Sequence, residues 1–157
     1  MKIFPSKKFT LELIESIDQS IELLKLNTLE STSLTTKSTN KKFIGRIDKH
    51  HFEIISSEVG IGAFTLLKGE FLDDSVTIVA EVNMPFKVLI SSIFLVGLTG
   101  IFYSFFSIGL PESAGMLIPL ALLFFLIKFI FLGRFFHRSL NSSLEKFAEI
   151  IKCQIKH

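Results

Sequence analysis

Two adjacent histidines, His50 and His51, are the first residues whose types could do chemistry, and Asp48 and Glu53 lie beside them. A zinc site needs three or four ligands that converge on one point. Neighbouring residues of a strand point to opposite faces of a sheet, so the two imidazoles do not readily share a metal ion. The pattern favours a structural or solvent-exposed pair. The surface around His50, His51 and Glu53 remains the place to inspect for an enzymatic alternative.

The other reactive residue types do not form a catalytic pattern. The Gly60-Ile61-Gly62 stretch lacks the lysine and hydroxyl residue of a phosphate-binding loop, and we interpret it as a turn that needs positive φ. Cys153 is the only cysteine, and only His157 lies near it in the sequence. It is therefore a poor candidate for a metal ligand or a nucleophile. We expect no enzymatic activity, no cofactor and no metal.

Charge and hydropathy are distributed unevenly along the 157 residues. The mean hydropathy is +0.51 although 20% of the residues are charged. The reason is that residues 88–133 carry only two charged side chains, Glu112 and Lys128. This distribution argues against a purely soluble domain and against a disordered chain. Residues 1–85 hold ten basic and twelve acidic side chains, so we expect no nucleic-acid partner.

The charged part of the chain, residues 1–85, has the patterns of a small cytoplasmic α+β module. Apolar spacing predicts an amphipathic helix over residues 10–25 that ends near Asn27, and residues 30–40 suit an edge strand or a loop. Apolar and polar residues then alternate in four short runs between turn residues. These predict antiparallel strands over residues 42–48, 51–57, 63–71 and 75–83. We expect the strands to form a meander that helix covers on one face.

Residues 86–133 are expected to form a transmembrane helical hairpin. Its two apolar runs, at about 88–107 and 113–132, contain 20 residues each. A helix of that length rises about 30 Å, the thickness of the hydrocarbon layer of a bilayer. A buried helical hairpin in a soluble protein is the alternative. A domain of this size, however, has too little surface to cover two such helices.

Basic residues flank the predicted spans and give their expected orientation. These residues are Lys87, Lys128, Arg134 and Arg138, whereas the turn between the spans has no Lys or Arg. By the positive-inside rule, the turn lies outside and both termini lie in the cytoplasm. Lys128 is about one turn from the end of its span, where its long stem can carry the ammonium to the interface. A role in lining an ion pathway is the alternative for Lys128.

Small and weakly polar residues follow the predicted spans at helical spacing. They are Ser92, Thr99, Gly100, Tyr103 and Ser104 in the first span, and Ala114 and Ala121 in the second. Such faces let helices approach closely in lipid and exchange hydrogen bonds. The favoured interpretation is that the two helices of the hairpin pack on each other through these residues. A dimer or a larger membrane partner is the alternative.

Residues 134–157 are expected to form a C-terminal amphipathic helix. Its apolar residues recur at intervals of three or four: Phe136, Leu140, Leu144, Phe147, Ile151 and Ile155. This stripe suits either the uncovered face of the sheet or the surface of a bilayer. The polar side carries both signs of charge, through Glu145, Lys146, Glu149 and Lys152. Because a lipid-surface helix is usually rich in Lys and Arg, we favour packing on the sheet.

Glycines and aromatic residues are regularly spaced in five segments before and at the start of the double span. The segments are Phe43-Ile44-Gly45-Arg46-Ile47, Phe52-Glu53-Ile54-Ile55, Gly62-Ala63-Phe64, Lys68-Gly69-Glu70-Phe71 and Phe86-Lys87-Val88-Leu89. In these segments the chain resembles a group of small uncharacterised bacterial membrane proteins and, more distantly, bacterial PH-like domains tethered to membrane hairpins. The resemblance covers roughly residues 40–110 and rests on the spacing of glycines and aromatic residues. It implies a cytoplasmic α+β domain on a two-span anchor in the bacterial inner membrane, and it assigns no site residue.

The expected function is that of a non-enzymatic, membrane-anchored interaction or assembly protein. Its expected partners are the lipid bilayer and either another protein or further copies of this chain. The alternative is a lipid-responsive or transport-related oligomer whose pathway is lined by Ser92, Thr99, Tyr103, Ser104 and Lys128. An enzyme is the third hypothesis.

Overall fold

The computed structural model describes residues 4–108 and 110–155, which divide into two compact units. One unit combines Met1–Asn83 with Phe135–His157, and the other is Met84–Arg134. The first unit is thus built from two segments that are distant in the chain. We call it the α+β unit, and we call the second the helical unit.

The α+β unit contains seven described strands in one mixed sheet and two α-helices. In chain order its elements are β1 (Ser6–Leu13), α1 (Ile17–Asn27), β2 (Thr28–Glu30), β3 (Phe43–Asp48), β4 (His51–Ser56), β5 (Thr65–Leu72), β6 (Ser75–Val82), α4 (Phe136–Ile151) and β7 (Cys153–Ile155). The strand order across the sheet is β2-β3-β4-β5-β6-β1-β7. The β2–β3 pair is parallel and every other neighbouring pair is antiparallel.

The α+β class is confirmed, as are the four predicted strands. They correspond to β3, β4, β5 and β6, which are consecutive antiparallel neighbours as in a meander. Alternation explains why the sequence reveals them: the side chains of β6 are alternately buried and more accessible, from Val76 to Val82. A strand with one face in the core must show this period of two.

The predicted helix over residues 10–25 is wrong at its start. Residues up to Leu13 belong to β1, which pairs with β6 and brings Leu11 opposite Val76. Phe9, Leu11 and Leu13 alternate with polar residues, so this short stretch also satisfies the period of a strand. The helix begins only at Ile17, after Ser16 in the N-cap position.

The helix α4 packs its apolar stripe against one face of the sheet. Phe147 is fully buried, and its ring stacks on that of Phe52 at 5.2 Å between centroids and meets that of Phe43 at 6.4 Å, edge on. The helix α1 packs beside α4 and buries Ile21 and Leu24. This covered face is therefore the core of the α+β unit.

The C-terminal helix ends earlier than the apolar spacing predicts. It stops at Ile151, and Lys152 takes a left-handed conformation with φ 48°. The chain then forms β7, in which Cys153 pairs with Leu13 of β1. The outer edge of β1 can accept a further strand there, which explains why Ile155 lies in a sheet and not on a helix.

The helical unit contains α2 (Met84–Ile108), α3 (Leu110–Phe125) and, except for its last residue, a π-helical segment (Leu126–Phe135) that leads into α4. The helices α2 and α3 contact each other, with the Phe94 and Phe124 rings 5.0 Å apart. Within the described residues, one stretch of helix, Met84–Ser104, is long and apolar enough to cross a membrane. The second predicted span, residues 113–132, is divided between α3 and the π-helical segment.

We expect Phe147→Ala to lower the free energy of unfolding of the α+β unit by about 3–5 kcal/mol, because it leaves a cavity between Phe43 and Phe52. The measurement is the urea midpoint of the purified full chain, followed by circular dichroism. Glu145→Ala, at an exposed position of the same helix, is the matched control and should leave the midpoint nearly unchanged. Equal midpoints for the two variants would contradict the packing described for α4.

Candidate interaction surface

The face of the sheet opposite α4 presents polar side chains in cross-strand rows. Strand register places Arg46, Glu53 and Lys68 in one row, and Asp48, His51 and Glu70 in the next. These residues alternate with the buried ones that contact α4, so they lie on the other face. We call this surface, completed by Glu81 of β6, the open face.

A chain of ion pairs crosses four strands of the open face. Arg46 donates two hydrogen bonds to Oε2 of Glu53, from Nη2 at 2.7 Å and from Nε at 3.1 Å. The other carboxylate oxygen of Glu53 lies 3.5 Å from Nζ of Lys68, and that Nζ lies 2.9 Å from Oε1 of Glu81. Both signs of charge therefore alternate from β3 to β6.

The ion pairs fix the charge states of the two central residues. The hydrogen bond from Arg46, with further attraction from Lys68, holds the pKa of Glu53 below its ordinary value against the opposing effect of burial. Glu81, followed by Glu53, raises the pKa of Lys68. Glu53 is consequently an ionised carboxylate at neutral pH and a weak general base.

The two histidines occupy different environments. His51 lies on the open face, with Nδ1 3.8 Å from Oε1 of Glu70. His50 lies in the turn between β3 and β4, where its carbonyl accepts a hydrogen bond from the backbone N–H of Phe71 at 2.8 Å. In the part of the chain that the structure describes, no three His, Cys, Asp or Glu side chains are placed to hold a metal ion.

Two shallow hollows lie against the sheet, the first of them on the open face. One, of about 270 Å³, is lined by Arg46, Asp48, His51, Phe52 and Glu53. The other, of about 290 Å³, lies at the outer edge of the sheet and is lined by Lys25, Thr28, Glu30, Gly45 and Ile47. The edge hollow exists because β2 pairs only with the first half of β3. Hollows of this size and exposure suit side chains of a protein partner better than an enclosed small molecule.

Partial burial keeps the thiol of the single cysteine protonated. Cys153 is half-buried in β7, and desolvation raises its pKa to about 11. A thiol with that pKa is almost fully protonated at neutral pH, whereas the thiolate is the reactive species. The structure therefore gives no support to a nucleophilic role for Cys153.

The buried residue Asn83 was not singled out by the sequence. It lies directly between β6 and α2 and is 1% exposed. Its backbone N–H donates to the carbonyl of Phe64 at 2.9 Å, and Nδ2 lies 2.9 Å from both the carbonyl of Ala63 and that of Leu34. An asparagine after a strand looks like an ordinary turn signal, and only the fold brings these three carbonyls to it.

The predicted anchoring residues occupy two kinds of position. Lys87 and Lys128 are half-buried, and Nζ of Lys128 lies 5.8 Å and 5.9 Å from the ring centroids of Phe124 and Phe129. Arg134 and Arg138 are exposed. Contact with the faces of aromatic rings is a favourable environment for an ammonium in an apolar segment.

The predicted helix-packing residues do not share one environment. Ser104 is buried, and Phe94, Gly97 and Ile101 precede it on the less exposed side of α2. The spacing of these four residues, three, four and three, is that of a helix-packing seam.

The remaining predicted packing residues are exposed: Ser92, Thr99, Gly100 and Tyr103 of α2, together with Ala121 of α3. The Ser92 and Thr99 hydroxyls donate to carbonyls of their own helix, each at 2.9 Å. The side chain of Ala114 lies outside the described residues. The exposed members of α2 therefore form a stripe on the side of that helix away from the seam.

Comparison with known proteins assigns the chain to no family. No protein-family model matches it, and neither does a curated protein or a solved structure.

We expect Glu53→Gln to lower the free energy of unfolding at neutral pH by up to about 1 kcal/mol, since the pairs are partly exposed. The folded pKa of Glu53 lies below the unfolded value of about 4.3. The stabilisation that the Glu53 ion pairs contribute is therefore present above that pH and is lost as the pH falls through the folded pKa. Calorimetric unfolding between about pH 7 and about pH 3 should show the difference shrinking with acidity. Glu70→Gln is the matched control on the same face, and a pH-independent difference at Glu53 would contradict the assignment.

Proposed function

We propose that this protein is a membrane-anchored, non-enzymatic interaction protein. In this proposal the helical unit anchors the chain in a bilayer and the open face of the α+β unit binds a protein partner. One observation carries it: an apolar helix that the chain leaves uncovered follows directly after a folded α+β unit. The face of that unit opposite α4 carries exposed rows that are polar and internally charge-paired, beside a buried apolar row of Ile44, Ile55 and Leu66.

The exposure of α2 supports membrane anchoring. Only 6% of its membrane-length stretch is buried, and large apolar side chains such as Leu95, Val96, Phe102 and Phe106 are exposed along it. Contiguous apolar surface on this scale is rare in a soluble monomer and is stable against lipid. The helix therefore has the length and the surface of a transmembrane segment.

The proposal extends to a second crossing by residues 113–132. The helical backbone runs without interruption from Leu110 through the π-helical segment to Ile151. Basic residues flank the pair of apolar runs at Lys87, Arg134 and Arg138, and the turn between the runs has none. In this proposal both termini lie in the cytoplasm, in accordance with the positive-inside rule. The bacterial inner membrane is the location that the resemblance of residues 40–110 implies.

The topology is tested with single cysteines in a Cys153→Ala background. We expect a cysteine introduced by Glu112→Cys to react with a membrane-impermeant maleimide from outside intact cells. One introduced by Ser6→Cys should react only after permeabilisation. Reaction of both from the same side contradicts the hairpin, and extraction of the chain by alkaline carbonate contradicts membrane integration.

The charge pattern of the open face favours a protein partner over a nucleic acid. Each basic residue of its central row, Arg46 and Lys68, is paired with a carboxylate, so no continuous positive surface forms. Alternating charges at fixed spacing select partners with the complementary pattern. Asp48 and His51 at the end of the surface are exposed and reach into the adjacent hollow.

A lipid-responsive or transport-related oligomer is the second candidate. The observation that favours it is the exposed stripe of Ser92, Thr99, Gly100 and Tyr103 on α2. Small and weakly polar residues support helix association in lipid. Under this alternative the stripe would join copies of the chain around a pathway that includes Lys128.

We expect Asp48→Arg to reduce recovery of a stoichiometric protein partner by about tenfold or more when the full chain is purified in mild detergent. The readout is quantitative mass spectrometry. Glu145→Arg makes the same charge change on the exposed side of α4 and should leave recovery unchanged. Absence of any stoichiometric partner contradicts the proposal. Self-association that Gly100→Leu abolishes would favour the oligomeric alternative instead.

A further inference from the structure

The loop between β4 and β5, residues 57–64, lies where the chain leaves and re-enters the α+β unit. On one side, the carbonyls of Ala63 and Phe64 accept hydrogen bonds from Asn83, the last residue of the unit before α2. On the other side, the carbonyl of Ile61 accepts one at 2.8 Å from the hydroxyl of Ser139, in the first turn of α4. The loop is thus hydrogen-bonded to the residue that precedes α2 and to the first turn of α4, which are the two places where the chain passes from one unit to the other.

The tip of this loop is an exposed apolar residue on a fixed turn. Val59 is 81% exposed, and Gly60 beside it has φ +97° with open space around its α-carbon. The flanking Glu58 is held firmly: its carbonyl accepts from the N–H of Gly62 at 3.0 Å. Its Oε2 accepts from Lys146 at 2.7 Å and from Ser142 at 3.1 Å. The side chain of Val59 is therefore exposed on a backbone segment that hydrogen bonds constrain.

An exposed arginine lies near the tip, and the carboxylate beside the tip is compensated. Glu58 is paired with Lys146 and also lies within the electrostatic influence of Arg138, which is exposed. An apolar tip near an exposed arginine, and without an uncompensated carboxylate, matches the interface of an anionic bilayer.

We infer that the Val59-Gly60 tip inserts into the interfacial layer of the bilayer that α2 crosses, with Arg138 at the phosphates of anionic lipids. This inference rests on the proposed membrane anchoring. Met84 is only four residues from the start of the predicted span at Val88, which is about 6 Å of helix. Chain connectivity therefore keeps Asn83, and the loop bonded to it, close to the lipid surface.

The opposite end of the sheet supplies an internal comparison. Leu72, the last residue of β5, is 47% exposed. It lies at the far end of that eight-residue strand from the loop, a distance of about 23 Å. Leu72 is thus another exposed apolar residue on the same unit, but it lies beyond the reach of the interface that the tip is inferred to enter.

The experiment places an environment-sensitive fluorophore at Val59→Cys or at Leu72→Cys in the full-length Cys153→Ala chain. The chain is reconstituted in vesicles of equal parts phosphatidylcholine and phosphatidylglycerol. We expect the probe at position 59 to shift to the blue, to lose quenching by aqueous iodide and to gain quenching by lipids that carry a shallow spin label. The probe at position 72 should remain quenched by iodide and unaffected by the labelled lipid.

The outcomes separate this inference from the anchoring proposal. Iodide quenching of both probes in vesicles that retain the protein through carbonate washing overturns the insertion and leaves the anchoring intact. Shielding of position 59 from iodide without quenching by labelled lipid assigns the tip to a protein contact and also overturns the inference. In vesicles of phosphatidylcholine alone, and with Arg138→Gln in the mixed vesicles, the blue shift should diminish. An unchanged shift in both cases contradicts the role of anionic lipid.

Discussion

The packing of Phe147 between Phe43 and Phe52 is the interaction on which the architecture depends. The ring of Phe52 also lies over Gly69, where a β-carbon would come within 2.2 Å of it, so the aromatic cluster fits because that strand carries no side chain at this point. Phe147 belongs to a segment that follows the whole helical unit in the sequence. Its burial therefore closes the α+β unit from two distant stretches of chain.

Covering one face of the sheet with α4 leaves paired charged side chains exposed on the other. Partly exposed ion pairs such as Arg46–Glu53 and Lys68–Glu81 contribute little to stability, because solvent screens them and ordering long side chains costs entropy. In the function that we propose, their regular alternation across four strands acts on specificity, because a mismatched partner would face like charges. The same pairing holds the pKa of Glu53 below its ordinary value, so this carboxyl is ionised at neutral pH.

Asn83 ends the first segment of the α+β unit in a well-bonded position. Only Asn83 separates β6 from α2, and its three hydrogen bonds satisfy polar groups that burial there would otherwise leave unpaired. The sheet thus ends and the apolar helix begins within two residues, and the β4–β5 loop is bonded to Asn83.

Local pattern determined much of this protein: the α+β class, the strands β3 to β6, an apolar helix of membrane length and the amphipathic stripe of α4. Each depends on a period that can be read within a few turns or a single strand. Tertiary structure decided the rest. Residues 6–13 became a strand because β6, more than sixty residues away, offered an edge, and β7 is too short to carry a period. The ion pairs of the open face and the carbonyls around Asn83 come from separate segments, so only the fold could bring them together.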